Sequence, residues 1–210
     1  MEANSIELSF LSIFSLLTFF IFLIVKKFSY KLHNGILLDQ DFLKPQAFHK
    51  KAVTRSGGLA CIVSLTLFFL IYYLLFSKII YEYVFVCSSL FFIGYLDDIK
   101  TKISPTIRLL LMIIFLSIFI NLLPIEIFNI DLIFLKPLLK NKFFSTLFIL
   151  LCFLFITNGA NLIDGFNGLL IINVIIINSI LLLINLDNNH FEFSIFLIGQ
   201  LIVSISFLLF

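Results

Sequence analysis

The sequence predicts an all-α fold, a polytopic bundle of about seven transmembrane helices with the N-terminus outside. Of its 210 residues, 61% are hydrophobic and only 12% are charged. The mean hydropathy is +1.18. The apolar residues form runs of roughly 15 to 20, the length of helix that crosses a bilayer. A soluble domain of this length could not bury so much apolar surface. We expect residues 1–210 to form a single integral membrane domain.

The predicted spans are the apolar runs themselves, in chain order Leu8–Val25, Gly57–Phe76, Ile79–Leu96, Pro105–Leu123, Phe143–Thr157, Leu169–Leu186 and Phe193–Phe210. The first run follows acidic residues and precedes lysines, which is the reverse of a secretory signal, so it is predicted to be an uncleaved span. The fourth is predicted to start at Ser104 and Pro105, an N-cap residue followed by proline in the first turn. The last run ends at Phe210 without a polar flank, and from this we expect the chain to be incomplete at its C-terminus.

The distribution of charge predicts the orientation of the spans. With the N-terminus outside, the polar loops at 26–56, 97–104 and 158–168 fall on the inner side. Ten of the fourteen Lys and Arg residues then lie inside, as the positive-inside rule requires. The mixed segment Asn121–Lys142 falls outside, and its Lys140 and Lys142 are the exceptions close to a span.

The third inner loop reads NGANLIDGFNG, from Asn158 to Gly168. Asn158, Asn161 and Asp164 recur at a spacing of three and would share one face of a helical turn. Amide and carboxylate oxygens at a membrane edge suit a hydrated divalent cation or a polar head group. The alternative is a polar interhelical turn, because membrane bundles also use Asn between helices.

Asp97 and Asp98 close the third span. Acidic residues at a helix C-terminus oppose the macrodipole, and two of them at the membrane edge are costly. Their position therefore favours a metal-binding or proton-accepting pair. The alternative is a solvated pair balanced by Lys100 and Lys102.

The first inner loop places basic residues and His49 just before Gly57, Gly58 and a new helix. Glycines, a helix N-terminus and Arg55 are typical of a phosphate-binding arrangement. The alternative is a topology signal alone. Asn173 and Asn178, inside the sixth span, are interpreted as polar contacts between helices. The three cysteines are interpreted as buried packing residues without a redox role.

Three motifs, in this order, resemble those of the bacterial polyprenyl-phosphate N-acetylhexosamine-1-phosphate transferases, the glycosyltransferase family 4 type, to which phospho-N-acetylmuramoyl-pentapeptide transferase is related. The first is carried by His49, Thr54, Arg55, Ser56, Gly57 and Gly58. The second is carried by Gly94, Asp97, Asp98, Ser104, Pro105 and Arg108. The third is carried by Asn158, Asn161, Leu162, Ile163, Asp164, Gly165, Asn167 and Gly168. The family's usual Pro, Lys and Asp are here Thr54, Arg108 and Asn167.

The resemblance implies transfer of a sugar-1-phosphate from a UDP-N-acetylhexosamine to polyprenyl phosphate, with release of UMP, at the cytoplasmic face of the inner membrane. It implies Mg²⁺ as cofactor, with Mn²⁺ as a substitute, and Asn161 as a metal ligand. Asp97 would be the base or orienter of the lipid phosphate, and Asp98 would support either Asp97 or the metal. The implied substrate-binding residues are His49, Arg55, Gly57, Gly58, Asn158, Asp164 and Asn167.

The expected partners are the UDP-sugar, polyprenyl phosphate and membrane lipid, with no nucleic acid; a homodimer is left open. A further family motif ending in Gly-Asp would lie beyond Phe210, so the chain alone is expected to be inactive. Two alternatives remain: a catalytically inactive, truncated membrane protein, and a transporter-like bundle with a polar path along its Asn residues.

Overall fold

The computed structural model describes residues 2–29, 38–39, 53–54, 56–77, 81–98, 104–122, 132–163, 168–188 and 191–210. Within them it contains eight helices: α1 (Glu2–Phe28), α2 (Gly57–Phe76), α3 (Tyr81–Asp98), α4 (Pro105–Leu122), α5 (Leu135–Leu139), α6 (Lys142–Ile163), α7 (Leu169–Asp187) and α8 (Phe191–Leu209). Two short strands, β1 (Leu38–Asp39) and β2 (Val53–Thr54), pair antiparallel. The all-α class is confirmed.

Seven of these helices coincide with the seven predicted spans. Five are long and apolar enough to cross a membrane, namely Ile6–Phe28, Gly57–Phe76, Pro105–Leu122, Lys142–Ala160 and Leu169–Asp187. The apolar helices Tyr83–Leu96 and Phe193–Leu209 are shorter. Only 6% of the most apolar stretch of α7 is buried inside the protein, so the rest of its surface needs lipid around it. The chain is a multi-pass membrane protein.

The boundaries differ from the predicted ones mainly at α6. Hydropathy ended this span at Thr157 and assigned Asn158 to a loop, whereas α6 continues through Ile163. A helix needs backbone hydrogen bonds rather than apolar side chains, so it does not stop where the lipid-facing sequence stops. The start of α4 was predicted correctly: the Ile107 N–H donates to Ser104 Oγ over 3.3 Å, which caps the helix.

The helices group into two compact units. Unit 1 comprises Met1–Ile80 and Ile163–Phe210, and unit 2 comprises Tyr81–Leu162. Unit 1 therefore contains α1, α2, α7 and α8, and unit 2 contains α3 to α6. The expectation of a single domain stays a prediction.

Unit 1 is held together by an aromatic interface between α1 and α2. The ring centroids of Phe10 and Tyr72 lie 6.3 Å apart, and those of Phe14 and Phe68 lie 5.0 Å apart. A step of four residues toward the C-terminus of α1 corresponds to a step of four residues toward the N-terminus of α2. The two helices are therefore antiparallel, and their contacts repeat every turn. All four rings are buried. Aromatic pairs of this kind add about 0.5–1.5 kcal/mol each beyond the area they bury.

The next turn of the same interface carries two hydroxyl groups. Thr18 lies one turn after Phe14 on α1, Ser64 lies one turn before Phe68 on α2, and both are fully buried. Neither hydroxyl has a hydrogen-bond partner in the part of the chain that the structure describes. By contrast, Thr66 and Ser179 donate to backbone carbonyls of their own helices. The α1–α2 interface therefore contains a polar level between apolar levels.

Unit 2 packs around a smaller apolar cluster near one end of its helices. Phe119 and Ile120 of α4 are buried against Ile149 of α6, and Val86 of α3 packs on the same cluster. The rings of Phe119 and Phe153 meet edge to face with centroids 6.3 Å apart. This cluster fixes the lengthwise register of α3, α4 and α6.

The interpretation of the cysteines is wrong for one of the three. Cys61 and Cys87 are half-buried, but Cys152 of α6 is exposed. An apolar run does not show which of its faces meets protein, because in a bilayer lipid accepts a thiol side chain as readily as a protein core does. All three cysteines are free thiols.

Ser77 ends α2 in a left-handed conformation with φ 55° and ψ 27°, and its N–H donates to the Tyr73 carbonyl over 2.7 Å. An L-residue pays about 1–2 kcal/mol for this conformation and glycine does not. We expect Ser77→Gly to raise the free energy of unfolding by about 0.5–1 kcal/mol, read as a higher thermal unfolding temperature in detergent. Ser88→Gly, inside α3, should lower it; a gain at both positions would contradict the conformational explanation.

Candidate functional site

The structure describes some of the predicted site residues with their surroundings, some only as positions on a helix, and others not at all. Gly57, Gly58 and Asn158 are described with their surroundings. Asp97, Asp98 and Asn161 are described as helix positions, and their side chains lie outside the described part. The others, His49, Arg55, Asp164 and Asn167, lie outside the described residues.

In unit 2 the acid pair and Asn161 occupy corresponding positions on α3 and α6. Val86 of α3 and Ile149 of α6 share one apolar cluster. Asp97 lies eleven residues beyond Val86 and Asn161 lies twelve beyond Ile149. At a rise of 1.5 Å per residue both positions are about 16–18 Å from that cluster. If α3 and α6 both run from this apolar cluster toward the same side of the bilayer, the carboxylates and the amide lie at the same end of unit 2.

Asn158, one turn before Asn161, is half-buried on α6. Its Nδ2 donates to the Leu154 carbonyl over 2.8 Å, which fixes the amide against its own helix. This bond uses a donor and leaves the acceptor capacity of the amide oxygen unchanged. Asn158 can therefore still present an oxygen to a cation or to a hydrogen-bond donor.

In unit 1 the C-terminal turn of α8 packs against two of the motif glycines. A Cβ added to Gly57, at the start of α2, would lie 2.5 Å from Phe207 Cε2. One added to Gly168, before α7, would lie 3.2 Å from Leu208 Cδ1. Consecutive residues of α8 thus bring the N-termini of α2 and α7 to one end of unit 1. Sequence reasoning missed Phe207 and Leu208, because nothing distinguishes them within an apolar run.

Both of these helix N-termini are favourable for an anion. Ser56, the N-cap of α2, makes no side-chain capping bond, and Gly168, the N-cap of α7, has no side chain to make one. First-turn N–H groups lack intrahelical acceptors and carry the positive end of the helix dipole. Phosphate is the ligand that such helix starts commonly bind.

The two adjacent glycines at the start of α2 have different roles. Gly57 is required by packing, because Phe207 occupies the space a side chain would need. Gly58 is exposed, and an added Cβ would meet no atom within 4 Å. Nothing in the described structure requires glycine at position 58. Its absence of a side chain leaves the backbone open to close approach from outside.

The described side chains do not themselves form a metal site. Among them there is no group of three His, Cys, Asp or Glu residues that could hold an ion. The predicted ligand set is a different one, a neutral amide at Asn161 with carboxylates nearby, and oxygens of this kind fit Mg²⁺ with its retained waters. The helix positions of Asp97, Asp98 and Asn161 are compatible with that set.

The two asparagines inside α7 do not act alike. Asn178 is buried, as expected for a contact between helices. Asn173 is exposed, and its Nδ2 donates to the Leu169 carbonyl of its own helix over 3.0 Å. The interpretation of Asn173 as an interhelical contact is therefore wrong. Because its amide is bonded along its own helix and faces outward, it also gives no support to a polar transport path.

A family model described as "Glycosyl transferase family 4" matches residues 80–210, more than half of the chain. The matched region runs from α3 to α8 and includes the acid pair and the whole NGANLIDGFNG stretch. It does not include His49, Arg55, Gly57 or Gly58. No curated protein sequence matches the chain.

Proposed function

This chain belongs to glycosyl transferase family 4, and we propose that it transfers N-acetylhexosamine-1-phosphate from a UDP-sugar to polyprenyl phosphate and releases UMP. Membership in the family makes it a membrane transferase of sugar phosphate to polyprenyl phosphate. The choice of a UDP-N-acetylhexosamine, and of the cytoplasmic face of the inner membrane, is our proposal. It is supported by the family match across residues 80–210, which contains both the acid pair and the asparagine motif.

The acid pair is assigned to the lipid acceptor. Phosphoryl transfer needs the attacking and leaving oxygens positioned and the charge neutralised. Asp97 would accept a proton from the lipid phosphate or orient it, and Asp98 would support the site by binding the metal ion. Placement at the end of a membrane helix suits this role, because the acceptor's phosphate lies at the bilayer edge while its tail stays in hydrocarbon.

Mg²⁺ would be held by Asn161, with Asp98 as a second oxygen ligand. When bound, the ion would neutralise pyrophosphate charge and polarise the phosphorus under attack. Asn158 would hydrogen-bond the nucleotide-sugar, and Asp164 and Asn167 would hold its uridine part through their amide and carboxylate groups. Asn167, where the family usually has Asp, would add no negative charge.

Substrate phosphate charge would be met in part by backbone groups of unit 1. The first turn of α2 offers N–H groups without a capping side chain, and Gly58 leaves them accessible. His49 and Arg55 precede this helix start in the sequence and would add side-chain cations, with Arg55 suited to bidentate phosphate binding.

The test is direct assay of the full-length protein, including any residues that follow Phe210, with polyprenyl phosphate and a set of UDP-sugars. We expect Mg²⁺-dependent release of UMP with a UDP-N-acetylhexosamine, and a lipid-linked sugar phosphate of matching mass. UDP-glucose, which lacks the acetamido group, should be a poor donor. Release of UDP in place of UMP would mean that the sugar alone is transferred, and would overturn the proposed reaction.

Gly58→Ala separates the functional role of this glycine from a structural one. The added methyl has open space and alanine favours a helix, so the unfolding temperature should stay the same or rise. If the backbone at Gly58 contacts a phosphate, displacing the ligand by about 1 Å should lower turnover by about tenfold to a hundredfold. Gly57→Ala should instead lower the unfolding temperature, because the methyl meets Phe207. Full activity of Gly58→Ala would remove Gly58 from the substrate-binding residues.

A further inference from the structure

Segment 132–143, which leads into α6, combines exposed apolar side chains with lysines. Phe134 is 66% exposed, and Leu138 is 46% exposed. Lys136, Lys140 and Lys142 are also exposed. The sequence has no Asp or Glu from residue 132 to residue 163, and Asp131 directly precedes the segment, so its three lysines outnumber the one neighbouring carboxylate.

The segment lies at the edge of the bilayer. The membrane-spanning part of α6 begins at Lys142, and Asn141 caps it, with the Phe143 N–H donating to Asn141 Oδ1 over 3.0 Å. Before the cap, the Leu135 N–H donates to the Leu132 carbonyl, and the Asn141 N–H donates to the Leu138 carbonyl. A short run of helical turns thus leads directly into a transmembrane helix.

Around α5, these turns separate two apolar side chains, Phe134 and Leu138, from two basic ones, Lys136 and Lys140. Phe134 and Lys140, which flank α5, also have helical backbone angles. At 100° per residue, Phe134 and Leu138 point to one side of the turn and Lys136 and Lys140 to the opposite side. A short amphipathic element with lysines on one face and large apolar groups on the other suits a membrane surface.

We propose that segment 132–143 is an anchor that binds anionic phospholipid headgroups of the bilayer. Phe134 and Leu138 enter the boundary between headgroups and acyl chains, and the three lysines pair with lipid phosphate. Charge complementarity selects this occupant, because a second copy of the chain placed symmetrically on the segment would bring six lysines together. The interaction also accounts for Lys140 and Lys142, which the predicted topology places outside although the positive-inside rule favours the inner side.

This anchor is independent of the proposed reaction. Lys142 and Asn161 lie near opposite ends of α6, about 30 Å apart along its axis. A lipid phosphate held at segment 132–143 is therefore a different molecule from any substrate near Asn161. The bound species is bilayer phospholipid, present as a bulk component rather than as an acceptor.

The chain contains no tryptophan, so Phe134→Trp creates a single fluorescent reporter in the full chain. The variant is reconstituted in vesicles that contain equal fractions of phosphatidylcholine and phosphatidylglycerol, one or the other brominated. We expect brominated phosphatidylglycerol to quench the tryptophan about twofold more strongly than brominated phosphatidylcholine, and the difference to vanish at 1 M salt. Replacing Lys136, Lys140 and Lys142 by Gln in the same background should make the two lipids equal.

Phe155→Trp is the matched control, because Phe155 is 75% exposed within the membrane-spanning part of α6. Its quenching should not depend on which lipid is brominated. Phe155→Trp combined with the three Lys→Gln substitutions also shows that the lysine variant is inserted. Equal quenching of Trp at position 134 by both lipids, with the lysines intact, would overturn the proposed headgroup preference. Absence of quenching by either lipid at that position would also overturn it and would assign the surface to a protein partner.

Discussion

Replacing Asp97 by Asn in the full-length protein is expected to lower turnover by about 10²–10⁴-fold while the protein stays folded. The substitution keeps the size of the side chain and removes its capacity to accept a proton. It also removes a negative charge from the C-terminal end of α3, where the helix dipole disfavours it. Stability should therefore be unchanged or slightly higher. UMP release at saturating UDP-sugar, together with the unfolding temperature, measures both effects.

The control for this experiment is Asp187→Asn. Asp187 is likewise the last residue of a membrane helix, α7, and is exposed. It lies eighteen residues along α7 from Leu169, at the other end of the helix from the third motif. The same removal of charge should there leave turnover unchanged. Near-normal turnover of Asp97→Asn would make the acid pair a solvated structural feature.

Gly199→Ala is expected to destabilise unit 1 by about 1–3 kcal/mol. A Cβ at this position would lie 2.5 Å, 2.8 Å and 2.9 Å from three ring atoms of Phe68. Phe68 cannot turn aside, because the rings of Phe10, Phe14 and Tyr72 surround it with centroids 5.0–5.8 Å away. For a chain of this size the unfolding temperature should fall by about 2–4 °C per kcal/mol.

Gly94→Ala is the corresponding substitution without a clash. Gly94 is also a helix-interior glycine, in α3, and an added Cβ would meet nothing within 4 Å. Alanine should therefore raise stability by up to about 1 kcal/mol through helix propensity. If both variants lost stability equally, the contact with Phe68 would not be the cause.

The sequence predicted the spans well because a bilayer imposes a length on every helix. The start of α4 was also predicted, since Ser104 and Pro105 act on the backbone next to them. The pairing of α1 with α2 could not be predicted. The chain has 29 Phe residues, and lipid accepts Phe as readily as a protein core does, so the pattern did not distinguish the buried Phe14 from the exposed Phe20.

The residue types of the candidate site could be predicted, but the packing contacts that hold its glycines could not. Asp97, Asp98 and Asn161 were identified because polar groups at membrane-helix ends are costly, and each is found near the end of a helix. The contacts of Phe207 with Gly57 and of Leu208 with Gly168 depend on how α8 packs. No local pattern in an apolar run encodes such contacts. The different roles of Gly57 and Gly58, identical neighbours in the sequence, arise in the same way.

The position of α8 also sets the order in which unit 1 can be assembled during synthesis. Phe68 needs Gly199 and Phe196 of α8 beside it, yet α2 ends at Phe76 and α8 begins at Phe191. At about 5–20 residues per second, the α1–α2 hairpin waits on the order of ten seconds in the membrane before α8 is made. All of unit 2 is synthesised in that interval. Until then the aromatic face of the hairpin is covered by lipid, and α8 must displace that lipid to reach it.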